Sequence, residues 1–409
     1  MFTRGGGRSL SVRFARSLLA AALLACCVAG AQPLRAQQIG EDLAGKLTEP
    51  QQRAYVFYLR ARGQFDRDNE AYWAAVDERR EARKRKRGAS QPFQFGDYIM
   101  VQPPKYQGPV MPPDVAKIIA QTRTPAPPEP MPVVVDFLTH ARTEFGFVPA
   151  PTTEVEFKRR YAEEALALGL SKDQVVRVYA LETGGRGTYD MQAGIDPETR
   201  KGTPISSALG YAQLLGANSV NELAKHGESF ISRLNRMAGD PKTSRLRAQQ
   251  LTAKAVAVTR MLRAARAVPS AWAAHQQLAR TPKGLGMHAL NLDADIGPWL
   301  QAIKLKGVRE VAEKAGRPNL SGAEIELMNL AGPQTGLDMM EPAGRNVPTA
   351  NFFTQKAYER NPIVKDKTSV ELLAALDSRM EANLVKAGSV EFARAFDIVL
   401  AARGGGLRR

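Results

Sequence analysis

Cysteine and histidine are scarce in this 409-residue chain: two Cys and four His. The two cysteines, Cys26 and Cys27, are adjacent, which excludes a disulfide framework and any cysteine-based zinc module. His140, His226, His275 and His288 show no i, i+4 spacing for a metal and read as surface or hydrogen-bonded core residues. No G-x-S-x-G elbow occurs. Gly185-Arg-Gly187 and Gly284-Leu-Gly286 lack the third glycine and preceding strand of a nucleotide loop. Asn291-Leu-Asp293-Ala-Asp295-Ile-Gly297 resembles a calcium loop, but its glycine is displaced by one and the closing Glu is missing. No segment sustains period-two alternation, so an extensive sheet is not expected. No cofactor or metal is implied.

What the chain has is positive charge and helix signals. It carries 57 Lys and Arg against 41 Asp and Glu, for a formal charge of +16. With 44% apolar and 24% charged residues it can build real cores, and bulk disorder is excluded. The excess charge points to an anionic partner.

The first residues bear on which partner. Arg4, Arg8, Arg13 and Arg16 have no acid among them, the apolar run Leu18–Val28 follows, and Ala29-Gly30-Ala31 fits a cleavage site. That order is a secretory leader over 1–31, and its run is too short to cross a bilayer. Cleavage near Ala31 removes four of the positive charges and both Cys, as suits an oxidising compartment. The expected location is periplasmic. Leu23-Leu24-Ala25-Cys26 offers the alternative of an outer-membrane lipoprotein anchored through a lipidated Cys26. An exported protein rarely meets nucleic acid, so a carboxylate-rich cell wall is the expected partner.

The remaining chain reads as a charged helical extension over 38–100, a Pro-rich linker over 101–133 and a mainly α domain over 134–403. The extension ends in the run Arg79 to Arg87, read as a solvated face with a binding patch as the alternative. Ten of 26 prolines fall between Pro103 and Pro132 and predict an extended strap. Beyond 134, Ser171-Lys-Asp-Gln174, Ser219-Val-Asn-Glu222, Ser321-Gly-Ala-Glu324 and Thr368-Ser-Val-Glu371 have capping-box spacing and predict four helix starts.

One helix carries chemistry. From Ser171 it runs through Val175, Val176, Val178, Tyr179 and Leu181 to Glu182, then meets Gly184-Gly185, a helix stop. A carboxylate in the last turn faces the negative end of the helix dipole, beside an apolar flank. Both effects raise its pKa, as a general acid at neutral pH requires. The plain alternative is an exposed Glu paired with Arg186. After a Gly- and Pro-containing loop (187–204), the segment Ser206 to Leu215 opens a second feature. There Gly210 leaves room for a substrate to approach the backbone, and Gln213 offers donor and acceptors for sugar amides and hydroxyls. Tyr189 and Trp272 carry rings able to stack on sugars, and Tyr189 is taken into the binding set; Trp299 is assigned to the core.

"LETGG…SSALGYAQLL" resembles the lysozyme-like lytic transglycosylases, which are related to goose-type lysozyme. The resemblance spans roughly 160–365 and implies a lysozyme-like helical domain. On it, Glu182 matches the catalytic Glu, and Gly210, Tyr211, Ala212 and Gln213 match the Gly-Leu-Met-Gln stretch. Asn329, within Leu327 to Pro333, matches the Asn of a cleft helix, and Tyr358 a late cleft Tyr. Thr183 stands where the family has Ser, the loop between Glu182 and Gly210 is longer, and Met328 stands in place of a Tyr. The implied activity is cleavage of the MurNAc–GlcNAc bond of peptidoglycan strands with a 1,6-anhydro product, one Glu acting as acid and then base. Hydrolysis would need a second carboxylate, for which Asp190, Asp196 and Glu198 are the loop candidates. A muramidase and a non-catalytic wall-binding scaffold of the same fold are the alternatives.

Overall fold

The computed structural model describes residues 41–122 and 130–405; the proposed leader, Cys26 and part of the Pro-rich segment lie outside them. The chain is mainly helical, with only isolated bridges and no strand among the described residues. After a short turn at Glu41–Ala44, the helices are α1 (Glu49–Gly88), α2 (Pro113–Thr122), α3 (Val134–Phe145), α4 (Glu154–Ala167), α5 (Lys172–Glu182), α6 (Gly216–Gly239), α7 (Arg245–Arg266) and α8 (Trp272–Ala279). They continue with α9 (Pro282–His288), α10 (Gly297–Lys314), α11 (Gly322–Ala331), α12 (Pro333–Met340), α13 (Gln355–Arg360), α14 (Ser369–Leu384) and α15 (Ala387–Gly405). No helix among the described residues is long and apolar enough to cross a membrane.

The chain forms two compact units. Among the described residues, 41–70 and 104–122 make the first. Here Tyr106 meets Phe65 edge-on at 5.4 Å, Arg62 lies over the Phe65 ring, and Gln51 donates to Asp114 at 2.6 Å. The Pro-rich segment is therefore not an extended strap throughout. Pro113 opens α2 because a proline at the first helical position loses no hydrogen bond.

Residues 71–103 and the described residues from 130 onward form the second unit, so the division falls within α1. Three apolar clusters make its core. One gathers α3, α6, α7 and α9 around Phe137, Phe230 and Met261. A second joins α4, α5, α10 and α15 around Phe157, Tyr161, Tyr179 and Phe396. The third sets Trp73 and Val76 of α1 against Leu327, Tyr358, Leu372 and Leu376.

The basic run of α1 is a solvated face only in part. Trp73, Val76, Arg80, Arg83 and Arg87 recur at helical spacing, and this stripe faces inward. Arg83 is 3% exposed and donates to the backbone carbonyls of Asp97 and Asn351 at 2.7 and 2.6 Å. Arg80 donates to the carbonyl of Phe353, Lys86 pairs with Asp97, and Arg87 pairs with Asp338. Arg79, Lys84 and Arg85 remain exposed. The would-be calcium loop is likewise a structural ion-pair node. Lys254, buried, bridges Asp293 at 2.6 Å and Asp295 at 2.5 Å, and Arg160 and Arg247 complete it.

Capping boxes form at Ser171, Ser321 and Thr368. The box expected at Ser219 does not. That residue lies inside α6, fully buried, with its hydroxyl 2.8 Å from His288 Nδ1. The helix starts a turn earlier, where Leu215 donates its N–H to Asn218 Oδ1.

Candidate active site

Helix α5 is anchored at both ends. Ser171 and Gln174 cap its start reciprocally, and Val175, Val176, Val178 and Tyr179 are buried on the core side. At the far end Thr183 turns its hydroxyl back to the carbonyl of Tyr179 at 2.7 Å, and the Asn383 amide donates to the carbonyl of Ala180 at 2.9 Å. Gly184 and Gly185 then adopt φ of +62° and +73°, the left-handed turn that stops a helix. Gly185 has a second reason to be glycine: a Cβ there would sit 2.4 Å from the carbonyl oxygen of Asn383. Glu182 thus occupies the last position of a rigid helix, partly exposed.

Its neighbour is a carboxyl that the sequence reading did not single out. Glu326 projects from α11 among Ile325, Leu327 and Met328, and is 2% exposed. Glu182 and Glu326 come within hydrogen-bonding reach of each other. Asn329, one turn on from Glu326, donates Nδ2 to Glu326 Oε2 at 3.5 Å, and Lys304 of α10 donates to Asn329 Oδ1 at 3.2 Å. Loss of hydration raises the Glu182 carboxyl to about 7, against a smaller opposing pull from Glu326 and the Arg379 charge. Burial also pushes Glu326 well above the usual range, reinforced by the Glu182 charge and the bond to it. Burial lowers Lys304, countered by the charges of Glu222 and Glu326. One carboxyl held neutral beside another is an arrangement that stores a proton at neutral pH. Glu326 had a sequence signal, an acid flanked by three apolar residues on a capped helix and one turn before Asn329.

The other site candidates fall elsewhere. Gly210 has φ +73°, and a Cβ there would meet the Gln301 amide at 2.5 Å. Its missing side chain makes room for Gln301, which also accepts from the Ala212 N–H at 3.1 Å, and not for a ligand. Tyr211 is buried, donates to Glu154 Oε2 at 2.5 Å and packs edge-on against Tyr179 at 5.0 Å. It and the buried Ala212 support the site's frame without offering a surface. Gln213 has φ +40° and folds its amide onto the carbonyls of Gly210 and Met191. Tyr189 stacks on Phe157 and borders a cavity of about 410 Å³ with Val134, Leu138 and Leu292. Tyr358 is buried beside Trp73, its hydroxyl accepting from the Asp366 N–H, so it presents no face to a substrate.

Two of the three loop acids, Asp190 and Asp196, are also engaged. Asp190 pairs with Arg200 at 3.0 Å. Asp196 accepts from the backbone of Glu198 and Thr199 and from the Thr199 hydroxyl, building the turn before Arg200. Trp299 packs on Phe230, and Trp272 is 47% exposed. No group of three or more His, Cys, Asp or Glu among the described residues is placed to hold a metal ion. Of the sequence-predicted set, the structure brings Glu182 and Asn329 together, through Glu326.

Models of known protein families do not match this chain, and no curated protein and no solved structure matches it.

Proposed function

We propose that the protein is an exported, lysozyme-like peptidoglycan lytic transglycosylase in which Glu182 is the acid. The observation that carries the reading is a carboxyl at the last position of α5, set against the buried Glu326 and raised to about 7. At neutral pH such a group keeps a proton to give to the oxygen of the MurNAc–GlcNAc bond as it breaks. Glu182, now a carboxylate, takes the proton of the MurNAc C6 hydroxyl while that oxygen bonds to C1. One proton is given and one returned, no water is consumed, and the product is a 1,6-anhydro sugar.

Carboxyl geometry favours this chemistry over hydrolysis. Retaining and inverting hydrolases hold two carboxyls apart, by roughly 5–5.5 Å or 6.5–9.5 Å, to act on opposite faces of the sugar. Glu326 is 2% exposed and faces Glu182 rather than solvent, so it does not stand across a substrate, and Asp190 and Asp196 are tied into their loop.

The test is incubation of purified sacculi with wild type and Glu182→Gln. Release of soluble muropeptides by the wild type alone supports the reading. Binding by both without release refutes it in favour of a wall-binding scaffold.

A further inference from the structure

We propose that Glu326 is a positioning residue that holds Glu182 by donating its own carboxylic O–H to it. This rests on the reading of Glu182 as the acid. The geometry orders the string of donors. Lys304 has no acceptor, so it must donate to Asn329, and it does so at Oδ1. That fixes the Asn329 amide, whose Nδ2 then faces Glu326 Oε2. With Oε2 accepting, a neutral Glu326 carries its proton on the other oxygen, free to donate to Glu182. Glu326 is itself 2% exposed, which keeps water from competing at its end of the bond.

The charged groups around the pair are few. Arg379 of α14 acts on Glu182, Lys304 of α10 acts on Glu326, and Glu222 and Lys225 of α6 act on Lys304. Between them the two carboxyls carry at most one negative charge, because burial and mutual repulsion outweigh the pull of Arg379 and Lys304. When Glu182 surrenders its proton, the Glu326 O–H already points at the new carboxylate. A preset donor of this kind stabilises charge only after it develops. Glu326 keeps its proton throughout and never touches the sugar.

The discriminating variants are Glu326→Gln and Glu326→Leu, assayed on sacculi across pH after thermal unfolding confirms a folded chain. Gln is neutral and keeps a donor. It is expected to turn over within about threefold of wild type, with the high-pH limb unmoved. Leu removes the donor and should slow turnover by roughly ten- to hundredfold, with the limb displaced to higher pH as the Glu182 anion loses its support. Glu326→Gln as inactive as Glu182→Gln would overturn the proposal, because an ionised Glu326 would then be required. A Leu variant with an unmoved limb would also overturn it. Carboxyl-carbon NMR titration of Glu182 supplies a readout that needs no turnover: an upward displacement in Leu but not in Gln supports the bond. A wild type without turnover, together with that displacement, would count against the enzymatic reading and leave the positioning contact standing.

Discussion

Arg83 and Asn351 lie 268 residues apart in the chain, yet a guanidinium nitrogen of the first donates to the backbone carbonyl of the second at 2.6 Å. The same side chain reaches the carbonyl of Asp97 and lies over the Tyr98 ring at 4.5 Å. Truncating it leaves two buried acceptors without a donor. Arg83→Ala is expected to cost about 2–4 kcal/mol in chemical denaturation. Arg79→Ala and Arg85→Ala, at exposed positions of the same helix, should each cost about 0.5 kcal/mol or less. Equal effects at the three positions would restore the reading of the run as a solvated face.

Lys254 stands between two buried carboxylates at 2.6 and 2.5 Å. Lys254→Met keeps the volume but strands Asp293 and Asp295, so a loss of about 3–5 kcal/mol is expected. Restoring charge balance with Asp293→Asn in the same chain should recover part of it. A urea titration of the single and double variants measures the coupling.

Gly184 and Gly185 share a left-handed backbone but not a neighbourhood. A Cβ at Gly184 meets nothing within 4 Å, whereas one at Gly185 sits 2.4 Å from a backbone oxygen. Gly184→Ala should therefore show only the conformational cost, about 1–2 kcal/mol. Gly185→Ala should cost more and displace the end of α5, lowering turnover in the sacculus assay while Gly184→Ala largely keeps it.

Glu182 works against the fold that holds it. Its carboxyl titrates at about 7 in the folded chain against 4.5 for the free group, so between those values the unfolded chain has lost a proton that the folded chain keeps. Stability then falls as pH rises through this window, and the penalty is complete above about 7. Glu182→Gln removes it. The variant is expected to be more stable than wild type at pH 8 by roughly 1–3 kcal/mol, with the difference vanishing by about pH 4.5. Thermal unfolding at both pH values checks this, and a variant no more stable than wild type at pH 8 would mean that Glu182 is freely hydrated.

Local signals were legible in the sequence and long-range partners were not. Ser171, Ser321 and Thr368 cap helices because a cap needs only residues three positions on. Ser219 has the same spacing, but His288 lies 69 residues away and claims its hydroxyl inside α6. The Gly184-Gly185 stop and the resulting position of Glu182 could be read directly. Charge placement could not, since Arg80, Arg83 and Arg87 look solvated until Phe353, Asn351 and Asp338 fold onto them. Tyr211 and Tyr358 match cleft positions by motif, yet both rings are needed to fill cores. Glu326 carries a local signal on its capped helix, but its significance lies in a partner on another helix.

The most direct test of the central claim is the mass of the glycan released from sacculi by the purified wild-type protein. If Glu182 returns the C6 proton to itself and no water enters, each released disaccharide unit ends in a 1,6-anhydro sugar, one water lighter than its reducing counterpart. Products bearing ordinary reducing ends would contradict the single-acid mechanism and make the enzyme a hydrolase.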